Sequence, residues 1–361
     1  MSLTITDTHK FVRSEGYNYN FDKRNGLFIR WGATLEEDPV CAPSPEIADI
    51  EITTICHGPG WRVAGPGSQG GQGGSVGHPC PFCYKNNTPN GKNMSLETFK
   101  KVIDALPSQL TQCALGADAQ ATSNPDLFEM MAYCRQKGVI PNITVADITD
   151  EIADKLVAVA GAVAVSRYAN KDICYDSVKK LTDRGLLQTN IHVMTSEESY
   201  DQVMETLNDK LTDSRLVKLN AVVFLALKQR GRGVNFHPLN QEKFKSIIDF
   251  AFANGINLGL DSCSCFKFLE SVKDHPDFKR LVVCSEPCES GRMSIYINVD
   301  GLVFPCSFSE NMEGWTGLDV AKCDDFVQDI WMHPQMVAWR EKLCNNNKNN
   351  LRCIECPIYN I

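Results

Sequence analysis

Hydrophobic and polar positions take on two alternating rhythms from about residue 48 onward. Residues 48–55 (ADIEITTI) place apolar side chains at every second position, the period of a strand. Ser95 then stands as an N-cap for a helix stopped near Pro107. The order repeats: a short strand at 112–116, a helix at 125–137 closed by Gly138, and strands at 140–145, 162–166, 189–194, 219–227 and 256–260. Helical patterns fall between them near 149–159, 173–184, 197–211 and 240–254. Such alternation predicts a parallel sheet covered by helices, doubly wound or curled into a full or partial barrel, with the site at the C-terminal ends of the strands. The first fifty residues are polar and read as an irregular opening.

From about Asp261 the rhythm fades and cysteines crowd, which predicts a second, small domain. Residues 294–304 (SIYINVDGLVF) are two alternating runs joined by Asp300-Gly301, a hairpin whose tight turn needs positive φ. A helix is expected over 324–343, and the polar run 345–350 reads as a loop. The expected division is therefore an N-terminal extension over 1–47, a barrel over 48–260 and a cysteine-rich unit over 261–361.

Composition narrows the function classes. The chain has 361 residues, 43% hydrophobic and 22% charged, enough to bury a sizeable core. Thirty-six Lys and Arg against 44 Asp and Glu give a net charge of -8 without long basic blocks, which disfavours a nucleic-acid partner. No apolar run is long enough to span a membrane, and the N-terminus lacks a signal-peptide pattern, so the expectation is a cytosolic protein without a membrane partner. Sixteen cysteines then call for metal or cluster ligation rather than disulfides. Cys113, Cys134 and Cys174 sit inside strand-like or helix-like patterns and read as plain packing.

The most informative stretch is Cys56, just past the first strand of the series, followed by a glycine-rich loop and then Cys80-Pro81-Phe82-Cys83-Tyr84. It resembles the radical S-adenosylmethionine (radical SAM) enzymes, whose usual signature is CxxxCxxC followed by an aromatic. Here 23 residues, nine of them glycine, separate Cys56 from Cys80 where three are usual. A long insertion is tolerable because closure entropy grows slowly with loop length, provided the loop ends meet. Cys80 and Cys83 as half of a zinc site is the alternative. Gly65-Pro66-Gly67-Ser68-Gln69-Gly70 matches a dinucleotide fingerprint formally, but no strand leads into it and no phosphate-loop Lys-Ser/Thr follows.

The resemblance implies that Cys56, Cys80 and Cys83 hold three irons of a [4Fe–4S] cluster, with SAM on the fourth. By position it also implies SAM contacts at Tyr84, Gly116, Asp118, Gln120, Ser166 and Arg167. Downstream, Asp261-Ser262-Cys263, Glu286-Pro287-Cys288, Phe304-Pro305-Cys306 and Cys353-Ile354-Glu355-Cys356 resemble the auxiliary-cluster domains of the SPASM and twitch type. That resemblance implies a second [4Fe–4S] cluster on Cys263, Cys288, Cys306 and Cys356, with Cys353 or Cys284 able to replace one of them, and a zinc site on the same four thiolates as the alternative.

Taken together, the implied fold is α/β: a partial (β/α)6-type radical SAM barrel with a small C-terminal auxiliary-cluster domain. The implied reaction is reductive cleavage of SAM to a 5′-deoxyadenosyl radical that abstracts hydrogen from a substrate. The first choice of substrate is a peptide or protein side chain, with a nucleotide or small metabolite as the alternative. A flavodoxin- or ferredoxin-type protein would donate the electron. A non-catalytic zinc-binding interaction protein is the reading from another class. Cys265 and Cys284 are candidate hydrogen-atom donors to a substrate radical.

Overall fold

The computed structural model describes residues 1–58, 80–116, 121–345 and 356. Its main sheet has seven parallel strands in the expected series: β5 (Ile47–Ile50), β6 (Gln112–Leu115), β7 (Ile140–Val145), β8 (Val163–Ser166), β9 (Thr189–Thr195), β10 (Ala221–Ala226) and β11 (Leu258–Leu260). Helices α1 (Leu96–Ala105), α2 (Leu127–Gln136), α3 (Asp150–Val159), α4 (Lys171–Asp183), α5 (Tyr200–Thr212) and α6 (Gln241–Ala253) return the chain between them. Ser95, Thr149 and Asn240 each cap a helix by accepting from a backbone N–H in its first turn. Gly138 follows α2 at φ +71°, the left-handed stop that the sequence foretold.

Hydrogen bonding carries the sheet beyond this series. β12 (Ser294–Ile297) lies parallel to β5 on the side away from β6, and β13 (Leu302–Phe304) and β14 (Leu318–Asp319) follow antiparallel. The order β11-β10-β9-β8-β7-β6-β5-β12-β13-β14 is open at both ends, so the barrel is partial. The expected hairpin is present, and Gly301 supplies its turn at φ +79°. Pro334 divides the helix expected over 324–343 into a short π-helical segment, Val327–Trp331, and α9 (Pro334–Asn345). The shorter α7 (Cys265–Ser271) and α8 (Phe278–Val283) connect β11 towards β12. Cys113, Cys134 and Cys174 are buried in the core between sheet and helices, as packing thiols.

The opening fifty residues are not irregular. β1 (Ser2–Ile5), β2 (His9–Arg13), β3 (Asn18–Asp22) and β4 (Phe28–Trp31) form a four-stranded antiparallel meander. Val12, Tyr17, Tyr19 and Phe21 bury one face of it against Ala42, Ile140 and Met293. Lys10, fully buried, donates to Ser108 O at 3.1 Å and Leu110 O at 2.5 Å, and Tyr19 Oη donates to Gln109 O at 2.6 Å. These acceptors precede β6, and Ile140 and Met293 stand at the starts of β7 and β12, so the meander covers the N-terminal end of the barrel. Burial pushes the Lys10 ammonium down to about 8, with Lys23 adding repulsion.

One guanidinium ties this cap to the rest. Arg30 of β4, with its side chain 6% exposed, meets Glu46 at 2.9 Å, Glu286 at 2.9 Å and Asp38 at 3.2 Å, while Tyr17 Oη also donates to Glu46. Removing one member of a buried charge network leaves its partner uncompensated, which costs about 3–5 kcal/mol. Arg30→Ala should therefore lower unfolding free energy by about that much in urea titrations followed by circular dichroism. Adding Glu46→Gln to Arg30→Ala should restore part of the loss, because the stranded carboxylate is then gone.

Candidate functional site

Strand β5 sets the position of the first cysteine. Past Ile50 the chain continues as a strap: Thr53 bridges Asn93, Ile55 bridges Thr88, and Cys56 N–H donates to Thr88 O at 2.9 Å. Gly91 is required in this strap, because a Cβ there would stand 2.4 Å from the Thr54 carbonyl. Segments 53–56 and 88–93 are thus held together on either side of the long insertion. This meets the condition under which a loop of that length can sit between two ligands of one site.

Cys80 and Cys83 form a tight turn, with Cys83 N–H donating to Cys80 O at 3.2 Å. Residues 230–236, after β10, grip that turn. Arg232 donates from Nε to Cys80 O at 2.9 Å and from its backbone N–H to Cys83 O at 3.0 Å. Gly231, at φ +57°, presses so close that a Cβ would meet Tyr84 O at 2.5 Å and Cys83 O at 2.6 Å. Gly233 is nearly as tight against Lys228 O and Phe82 O. The Gly-Arg-Gly clasp escaped the sequence reading, which had no reason to join residues 150 positions apart.

Cys56, Cys80 and Cys83 line one cavity of about 400 Å³ at the C-terminal ends of the barrel strands, together with Tyr84, Gly116 and Ser166. Burial pushes the Cys80 thiol up to about 12, and Cys56 and Cys83 close by add to the shift while Tyr168 hydrogen-bonds it. Neighbouring thiols of this kind give up their protons to a metal. Gly116 ends β6 at φ +83°. Arg167 lines the same cavity and pairs with Glu205 at 2.6 Å, and among the described residues its buried Nε has no hydrogen-bond partner. Asp118 and Gln120 lie outside the described residues, as does Cys353. Cys265 is buried in the core and Cys284 is exposed at the end of α8; neither lines the cavity.

The second set of cysteines also comes together. Cys263, Cys288 and Cys306 are each pushed up by burial, Cys306 to about 12; Cys288 adds to the shift of Cys263 and Cys306, and Cys356 to that of all three. Cys288 and Cys356 therefore each lie within electrostatic reach of the other thiols of this set. Among the described residues no three His, Cys, Asp or Glu side chains converge on a single-ion site. Trp339 and Arg340 of α9 brace this region, donating to Ser290 O at 3.2 Å and Gly291 O at 3.0 Å.

The two thiol sets share a wall. Lys228 Nζ, buried at the end of β10, bonds Asp261 at 2.7 Å and also Cys263, and stands 5.3 Å from the Phe308 ring centre. Tyr84 Oη donates to Ser307 Oγ at 3.1 Å, and the Tyr84 and Phe308 rings are 4.4 Å apart. Lys228, Ser307 and Phe308 all face the cavity.

The family model of the SPASM iron–sulfur cluster-binding domain matches residues 288–357. Among solved structures, the chain is similar to Streptococcus suis SuiB bound to the precursor peptide SuiA, with a TM-score of 0.68, 12% identity, and coverage of 94% of this chain and 90% of that one. It is also similar to SuiB bound to S-adenosylmethionine, with a TM-score of 0.66, 12% identity, and coverage of 95% and 92%. No curated protein matches the sequence. The chain thus shares the fold of SuiB, and its residues 288–357 match the SPASM iron–sulfur cluster-binding domain. No helix among the described residues is long and apolar enough to cross a membrane.

Gly231 offers a direct test of the clasp. An Ala there meets backbone atoms as well as the left-handed penalty of about 1–2 kcal/mol, whereas Gly255, at φ +62°, has nothing within 4 Å of a Cβ. Gly231→Ala should therefore destabilise the protein by more than Gly255→Ala in parallel urea titrations. Equal losses would remove the clasp from the account.

Proposed function

We propose that this protein is a radical SAM enzyme that acts on a peptide or protein side chain. The observation carrying the proposal is that three cysteines spread over 28 positions meet in one cavity at the barrel mouth, beside a second thiol set in a SPASM domain. Cys56, Cys80 and Cys83 would hold the cluster that binds SAM; Cys263, Cys288, Cys306 and Cys356 would hold the auxiliary cluster. The assignment is supported by Cys56, Cys80 and Cys83 lining one cavity and by Cys288 and Cys356 acting electrostatically on their companion thiols.

When bound, the cluster and SAM supply a 5′-deoxyadenosyl radical that removes hydrogen from a substrate C–H bond. The chain's own residues hold the reactants and keep water away. Phe82, Met194, Leu225 and Phe308 give the cavity apolar walls that shield a reactive species from solvent. Gly116, open at the end of β6, and Ser166 would contact SAM, and Tyr84 closes that side through its bond to Ser307. The peptide substrate is supported by the similarity to SuiB in its complex with a precursor peptide. A soluble flavodoxin or ferredoxin would supply the electron.

Anaerobic reconstitution should give about eight irons per chain, and Cys56, Cys80 and Cys83 changed together to Ala should retain about half. Reduced wild-type protein should form 5′-deoxyadenosine from SAM by chromatography, and Cys56→Ala should abolish it. Full SAM cleavage by Cys56→Ala would overturn its ligand role, and a colourless zinc protein would overturn the proposal.

A further inference from the structure

An ammonium is costly to bury unless it finds acceptors, because its charge must leave water. Three cations nevertheless line the cavity at the barrel mouth: Lys85, Arg167 and Lys228. Lys85 is matched by Glu51 and Glu310, and Arg167 by Glu205. Lys228, 4% exposed, is placed differently, because one of its partners is a thiol.

The placement follows from the sheet. β10 and β11 run parallel with Phe224 opposite Leu260, so the residues that follow the two strands are neighbours at the mouth. Asp261, directly after β11, is fixed there on every side. Its N–H donates to Phe224 O at 3.0 Å, and its carboxylate accepts from Ala226 N–H at 3.0 Å and from Ser264 Oγ at 2.5 Å. Its carbonyl accepts from Ser264 N–H at 2.9 Å, which closes a 3₁₀ turn over Ser262–Ser264 with Cys263 in the middle. Lys228 Nζ meets the same carboxylate at 2.7 Å, donates to Ala226 O at 2.9 Å and hydrogen-bonds Cys263. The ring of Phe308, two residues past Cys306, stands 5.3 Å from the ammonium. One immobile cation therefore faces the cavity and also touches the auxiliary thiol set.

Taking up an electron adds negative charge to an iron–sulfur cluster, and its potential follows the net charge around it and the hydrogen bonds to its sulfurs. An ammonium that donates to a ligand sulfur stabilises the reduced cluster more than the oxidised one. A carboxylate at the same place acts in the opposite sense.

We propose that Lys228 sets the reduction potential of the auxiliary cluster, raising it through the contact with Cys263, while Asp261 holds the ammonium in place. The inference rests on the cluster assignment proposed above and deepens it, since a residue of the cavity wall then governs how readily the second cluster accepts an electron.

The protein with Cys56, Cys80 and Cys83 changed to Ala, once reconstituted, carries the auxiliary cluster alone, so its midpoint can be read by redox titration followed by low-temperature electron paramagnetic resonance. Adding Lys228→Met should shift the balance about tenfold towards the oxidised cluster, the size of one charged hydrogen bond, which is a midpoint about 59 mV more negative. Asp261→Asn keeps the ammonium and removes the opposing charge, so it should move the midpoint in the positive direction. Shifts of opposite sign are what a merely structural pair would not give, and Asp261→Asn decides the matter if Lys228→Met fails to take up iron. Unmoved midpoints, or shifts of the same sign, would overturn the inference and leave the cluster assignment standing. Loss of iron from both variants would make the pair structural and overturn it equally. A parent protein without iron on its C-terminal thiols would overturn the assignment itself, which is a separate result.

Discussion

Two strands lying side by side decide where the chemistry of this protein sits. β5 is flanked by β6 on one edge and β12 on the other, with Asp49 paired to Ala114 and to Tyr296 in register. β5 runs on to Cys56, and β12 turns through Gly301 into β13, which ends just before Cys306. Cys56 follows the end of β5 at the barrel mouth, whereas Cys288 precedes β12 and Cys306 follows antiparallel β13, so both lie towards the start of β12, and it is Ser307 and Phe308, just past Cys306, that reach Tyr84 and the cavity. Displacing β12 from β5 would separate the two thiol sets and open the wall made by Tyr296, Ser307 and Phe308.

That shared edge makes the electrostatics of the two sets interdependent. Lys228 faces the cavity, yet its charge is divided between Asp261 and Cys263, one from each side of the wall. Tyr84, next to Cys83, hydrogen-bonds Ser307, next to Cys306. At the opposite end of the barrel the N-terminal meander is held by buried polar contacts, with Lys10, Tyr19 and Arg30 reaching the loops that feed the strands. A barrel fixed at its base and clasped at its mouth by Gly231 and Arg232 keeps the thiols gathered before any metal arrives.

Much of this was legible in the sequence, for identifiable physical reasons. The Ser95 helix cap, the Gly138 stop and the Asp300-Gly301 turn are local signals, and each is found where it was read. The meander was hidden because its buried positions include Lys10, Asn18 and Asp22, which break the apolar alternation that marks a half-buried strand. The clasp at Gly231 depends on a contact across 150 residues, which no local pattern carries.

The central claim is that the thiols at the barrel mouth, and not those of the SPASM domain, hold the cluster that meets SAM. Low-temperature electron paramagnetic resonance of the dithionite-reduced protein, recorded with and without SAM, tests it most directly. In wild type and in Cys306→Ala alike, the spectrum of a reduced four-iron cluster should change shape when SAM is added. A spectrum indifferent to SAM, or a SAM-dependent change that vanishes in a folded Cys306→Ala protein, would contradict the account.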